Sequence, residues 1–302
     1  MFSFKRRAHA SNHAVLSPCP GGAAALRLEG DPGHPHVAAF AVADNPAMTP
    51  DLLERLAHEA GIRAMPLAAL LDQEAYQTVV IEAPNVPDDE LSSAIRWKVK
   101  DLINFHIDDA VLDHLPVPGR TGQPPSLYVV AAQAPAVREL AKPYHKAGLP
   151  LAAIDIPEAA QRNLGVRLTP EDYAVAMLHF NGEVGLLTFT FGEDLVLSRR
   201  IEARGGSSGG GDFLFDRVAM EAQRSVDYFE RQFSWLPLAK LYLAPMPDSA
   251  PLARKLGEYL PVGAEVLDLG RLFDLAGQER LLDERMQNRV FHLLGAALRG
   301  MR

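Results

Sequence analysis

The chain has 302 residues, 48% of them hydrophobic and 23% charged, and its 30 basic and 38 acidic side chains give a net charge of −8. These values describe a globular protein long enough for two domains or two lobes, and they exclude a disordered or fibrous chain and a general attraction to nucleic acid. The single cysteine, Cys19, excludes intramolecular disulfides and thiolate-rich zinc sites, and the ten histidines never take the His-Glu-x-x-His spacing of a zinc protease.

The first residues, MFSFKRR, set Phe2 and Phe4 before Lys5, Arg6 and Arg7. This apolar part is too short for a signal peptide, and no uncharged apolar run reaches the roughly 18 residues of a membrane span. A cytoplasmic protein with at most peripheral membrane contact is expected. HAVLS, AAALRLEG and HVAAFAVAD read as three strands separated by Gly/Pro turns, with His34 and His36 at a polar hairpin tip. The periodic PDLLERLAHEAG is a helix stopped by Gly61, and TVVIEA is a further strand.

A helix is expected from Pro87, with Asp88, Asp89 and Glu90 in its first turn and Lys98 and Lys100 near its end, as the helix dipole favours. Its buried stripe would be Leu91, Ile95, Val99, Leu102 and Ile103. Trp97 falls off that stripe, on the side that normally meets solvent, so it either covers a neighbouring element of the same lobe or is open to a partner. An acidic, strand-like segment, HIDDAVLDHLPVPG, follows.

From Tyr173 the pattern restarts. YAVAML, GEVGLLTFTF and DLVLSRRIE read as strands, the last two joined by a tight turn at Gly192 to Asp194. A long helix carries Phe215, Val218, Ala222, Val226, Phe229 and Phe233 at three- and four-residue steps, with Asp212 placed to cap it. AKLYLAP, APLARKLGEYL and AEVLDLG then read as strand, helix and strand. An antiparallel trio followed by helix and strand, occurring twice, predicts two related α/β lobes with a cleft between them, the first over 1–168 and the second over 169–302.

Several blocks carry a resemblance: IEAPNVPDDELSSAIRWKVKDLINFHIDDAVLDHLP, LYVVAA, IDIPEAAQRNL, LVLSRRIE with EAQRSVDYFERQF, and the closing LLGAALRG. In these the chain resembles the MshI family of MSHA pilus biogenesis, relatives of PilM of the type IV pilus machinery and of the actin-like FtsA fold. The resemblance implies a two-lobed actin-like (RNase H-like) fold with a small extra subdomain, about 84–125, inserted in the first lobe. It also implies docking of the short cytoplasmic N-terminal tail of an inner-membrane partner, PilN or its counterpart MshJ, alongside other assembly components. The wall of that groove is expected at Arg96, Trp97, Lys98, Lys100 and Phe105, because an off-stripe Trp flanked by cations is the side-chain mix enriched among binding hot spots.

Actin-like ATPases place Asp-x-Gly at the first hairpin of each lobe, the Gly admitting phosphate to backbone N–H groups and the Asp orienting Mg²⁺ and its water. By this resemblance His179 and Asn181 stand in the second-lobe Asp and Gly positions, and Ser17 and Pro18 in the first lobe. The adenosine-holding Gly-Gly loop would fall in YLAPMPDSAP, which has no glycine. No catalytic residue, cofactor or metal is therefore expected, and the chain reads as a scaffold that has lost ATP. Two alternatives stand beside it. One is an active Mg-ATP-binding protein of the same machinery. The other is a serine hydrolase built on Ser207 or Ser208 of RGGSSGGGD with a later Asp and His292, although that run is long enough to be a floppy loop and lacks the Lys of a Walker A sequence.

Overall fold

The computed structural model describes residues 13–45, 47–120, 122, 124–203 and 211–301, without the side chains of 211–213. The first three strands, β1 (Ala14–Cys19), β2 (Gly22–Glu29) and β3 (His36–Ala43), form an antiparallel meander. Helix α1 (Pro50–Glu59) starts where Thr49 Oγ1 accepts from Leu52 N at 3.2 Å, with Pro50 at its first position. Strand β4 (Leu67–Leu70) then returns parallel to β1.

Here the chain leaves the sheet. Strand β5 (Tyr76–Glu82), helix α2 (Leu91–Val99), and strands β6 (Ala110–Val117) and β7 (Ser126–Gln133) make a separate antiparallel sheet in the order β5-β7-β6. Helix α3 (Ala134–Lys146) leads back to β8 (Leu151–Asp155), parallel to β4. Helix α4 (Pro157–Val166) crosses to the second lobe. There β9 (Ala174–Asn181), β10 (Val184–Phe191) and β11 (Asp194–Glu202) form a second meander. They are followed by α5 (Gly211–Gln232), β12 (Leu238–Leu243), α6 (Ser249–Tyr259), β13 (Gly263–Val266) and the closing α7 (Glu284–Ala297).

The two large sheets share one plan: β3-β2-β1-β4-β8 and β11-β10-β9-β12-β13, each an antiparallel trio continued by two parallel strands. The protein is a two-lobed actin-like fold with an extra subdomain in its first lobe. The repeated order read from the sequence is therefore present, with two corrections. TVVIEA does not extend the first-lobe sheet; it is β5 of the small sheet, and its place is taken by LAAL. All four residues of LAAL are buried, so the run shows no alternation by which a strand is recognised.

The second correction concerns α2, which starts at Leu91 rather than Pro87. Residues 87–90 instead form a turn in which Glu90 N donates to Pro87 O at 3.0 Å, so Asp88 and Asp89 precede the helix. It ends at Val99, and Leu102, assigned to its buried stripe, is 55% exposed because the chain turns away first. The capping side chain of Asp212 and the 204–210 part of the Gly/Ser run lie outside the described residues.

The central core lies between the sheets. Val15, Leu26 and Ala68 from the first meet Val175 and Met177 from the second through Ala160 and Leu164 of α4 and Leu293, Leu294 and Ala297 of α7. The last helix thus packs against the first lobe's strands. A Cβ at Gly295 would lie 2.2 Å from Ala160 O, so α4 and α7 cross at a separation that only glycine permits.

Candidate functional site

A cavity of about 610 Å³ opens between the lobes. Both meander hairpins reach it: Pro18, Cys19 and Pro20 from the first lobe, His179, Asn181 and Val184 from the second. This is where an actin-like fold presents its paired hairpins. Ser17 is buried, and its Oγ accepts from Leu70 N at 2.9 Å, tying β1 to the end of β4. Pro18 and Pro20 bring no N–H to the cavity. The second hairpin turns on Gly182, at φ 62°.

His179 is a buried strand residue. Its Nε2 lies 2.9 Å from Asn288 O on α7, its ring stacks on Phe291 with centroids 5.0 Å apart, and Nδ1 has no hydrogen-bond partner. Burial pushes its pKa down to about 4, so the imidazole is neutral at physiological pH. His292, at 4.3 Å between ring centroids, is lowered further from the ordinary value by burial and by His179. Its Nε2 meets Gln161 Oε1 at 2.9 Å, while Gln161 Nε2 donates to Met177 O and to Thr188 Oγ1 at 2.9 and 3.0 Å. One buried amide thus joins α4, α7 and the second-lobe meander.

Two more links flank the cleft. Asp155 Oδ2 pairs with Arg299 Nη1 at 2.9 Å, its other oxygen accepting from Ile156 N at 3.0 Å. Glu158, in the first turn of α4, accepts a short hydrogen bond from the Tyr76 hydroxyl, and burial raises its carboxyl pKa. Across the cleft, Tyr128 of β7 and Ser198 of β11 share a hydroxyl hydrogen bond of 2.6 Å, and Arg200 donates to Gln73 O at 2.6 Å. The small sheet is therefore fastened both to α4 and to the second lobe. Gln161, Glu158, Tyr76 and Tyr128 were not singled out from the sequence. The available signal was α4 itself, a helix buried almost all round yet carrying Glu158, Gln161 and Asn163.

The surface expected around residues 96–105 divides in two. Arg96 is committed to the fold: its guanidinium donates to Ile107 O and, at 3.1 Å, to Ala110 O, fastening the segment after α2. Lys98 Nζ donates to Glu82 O at 2.9 Å, which fixes α2 beside β5. Trp97 is 70% exposed, with Lys100 Nζ 3.3 Å from its ring centroid, and Phe105 is half-buried. His292 belongs to the inter-lobe network, and the serines set beside it for a hydrolase lie outside the described residues. Among the described residues no three His, Cys, Asp or Glu side chains gather as a metal site, and no helix is long and apolar enough to cross a membrane.

This architecture is the two-lobed actin-like fold, with a small sheet inserted in the first lobe. Among solved structures the chain is similar to a chain of the "PilM-PilN type IV pilus biogenesis complex", at 21% identity and a TM-score of 0.76, over 96% of this chain and 99% of that one. It is also similar to the cytoplasmic domain of EpsL, an inner membrane component of the type II secretion system of Vibrio cholerae, at 16% identity and a TM-score of 0.54, over 89% and 94%. No protein-family model matches the sequence, and no curated protein matches it.

Proposed function

We propose that the chain is a non-enzymatic scaffold of a type IV pilus machinery, of the MshI kind, with lobes at 1–168 and 169–302. It docks the cytoplasmic tail of a PilN- or MshJ-like membrane protein and is held at the inner membrane, on the cytoplasmic side, through that partner. The observation that carries this reading is the likeness, over 96% of this chain and 99% of that one, to a chain of the PilM–PilN complex. The exposed Trp97 of the small insert supplies an aromatic anchor.

The cleft supports the scaffold over the ATPase. Neither Ser17 with Pro18 nor His179 with Asn181 offers a carboxylate for the waters of Mg²⁺. The Ser17 hydroxyl already holds Leu70 N, and His179 Nε2 already meets Asn288 O. These residues do not fit Mg-ATP, and no hydrolytic step is assigned. Co-purification of the chain from detergent-solubilised inner membranes tests the reading: a PilN-like protein is expected as the bound partner, and its absence from the purified material overturns the proposal.

A further inference from the structure

The inter-lobe cavity runs away from the position expected for adenosine. Its lining takes in no residue of 242–251, and it extends instead to Gln73 at the root of the small sheet and to Ala136 of α3. Pro18 and Pro20 stand where backbone N–H groups ordinarily gather a phosphate, and the Arg289 guanidinium is already paired with Asp44. At about 610 Å³ the space is nonetheless of the size of small-molecule sites, which span ~300–1,000 Å³.

The wall formed by β9 and α7 has a fixed hydrogen-bonding polarity. Asn288 O can only accept, so the 2.9 Å contact makes His179 Nε2 the N–H of that ring. Gln161 Nε2 donates to two carbonyls, Met177 O at 2.9 Å and Leu186 O at 3.2 Å, which orients the amide and leaves Oε1 as the acceptor facing His292. His292 Nε2 is then the N–H of the second ring. Burial keeps both imidazoles neutral, so each carries a bare lone pair on Nδ1. Among the described residues no donor meets either one: His179 Nδ1 is buried without a partner, and the bond to Gln161 is the only hydrogen bond that His292 makes.

Bare lone pairs repel an anion. They would accept from an ammonium, but the desolvation that holds the rings unprotonated also opposes a positive charge beside them. A neutral hydroxyl satisfies them at no such cost. Elsewhere the lining mixes donors and acceptors. Gln73 Nε2 is a buried donor with no partner, Asn181 and Arg200 are exposed, and Asp72 and Glu74 add carboxylates. Hydroxyls meet groups of both kinds, since each donates and accepts.

We infer that the cleft binds a small uncharged polyhydroxyl compound, of polyol or monosaccharide size and without a metal, one hydroxyl donating to His292 Nδ1 and others meeting Gln73, Asn181 and Arg200. This goes beyond the docking role proposed above and is independent of it. The residues supply binding, and no reaction is assigned to them.

Imidazole ¹⁵N spectra of the full chain near neutral pH, recorded during titration with glycerol, D-glucose and myo-inositol, test this. Each probe is taken to about 100 mM, well above the millimolar dissociation constants usual for ligands so small. With at least one of them the His292 Nδ1 resonance is expected to move upfield and saturate, while Nε2, already bonded to Gln161, changes little. Asn181→Ala, an exposed position at the cavity, is expected to weaken that probe about fivefold. No movement of Nδ1, or a linear movement that does not saturate, overturns the inference. So does saturable movement with inorganic phosphate alone, which would make the wall an anion site. Equal affinity in folded Asn181→Ala puts the probe outside the cleft and overturns it as well.

Discussion

At the residue scale, the imidazoles of the cleft make the fold acid-sensitive. His179 binds its proton near pH 4 in the native state and near 6.5 when unfolded. Between those values the unfolded chain holds more protons, so stability is complete above about pH 6.5 and falls as pH drops toward 4. That gap corresponds to about 3 kcal/mol for a fully buried group. Thermal melts between pH 4.5 and 7.5 are expected to show this decline, and His179→Gln to flatten part of it; an unchanged slope in the variant would place the sensitive group elsewhere. Gly295→Ala is expected to cost about 1–3 kcal/mol in urea unfolding, because a carbonyl of α4 has no room to retreat. Trp97→Ala, by contrast, should leave stability within about 0.5 kcal/mol, since the side chain is 70% exposed, and cost about 2 kcal/mol or more of partner affinity. A strongly destabilised Trp97→Ala would make that residue a structural one.

At the scale of elements, the meanders, α1, α5 and α6 were legible because strand alternation, turn glycines and helical periodicity act locally. Gly61 at φ 64° and the apolar stripe of α5, with Val218, Ala222, Val226 and Phe229 buried, are examples. The start of α2 was not legible, because Pro87 followed by acids reads equally as a helix start and as the turn that the structure holds at 87–90. Nor was the membership of β5, since pairing partners are set by contacts distant in sequence. That Pro18, His179 and Asn181 line one cleft follows from the order of the two hairpins, but the joining role of Gln161 depends on three elements meeting around one amide. Arg96 shows how an exposed-looking cation can be structural. Arg96→Ala is expected to lose about 1.5 kcal/mol or more, as two charge-assisted bonds to Ile107 O and Ala110 O disappear. Arg96→Lys should restore only part of it, because an ammonium does not span both carbonyls as the guanidinium fork does. Full rescue by Lys in a thermal melt would mean that charge alone matters there.

At the scale of the whole molecule, α4, α7 and the small sheet tie the two lobes together. Gln161 with His292, Tyr128 with Ser198 and Arg200 with Gln73 O are all made by the chain itself. Mg-ATP is accordingly expected not to stabilise the protein, although a ligand at a hundred times its dissociation constant adds about 2.7 kcal/mol and raises the melting temperature visibly. The proposed scaffold recruits a membrane partner without nucleotide. The most direct test of this is calorimetric titration of the PilN-like cytoplasmic tail into the nucleotide-free chain, repeated in Mg-ATP. Saturable binding with the same affinity in both conditions is the predicted result; no binding, or binding only when Mg-ATP is present, would contradict it.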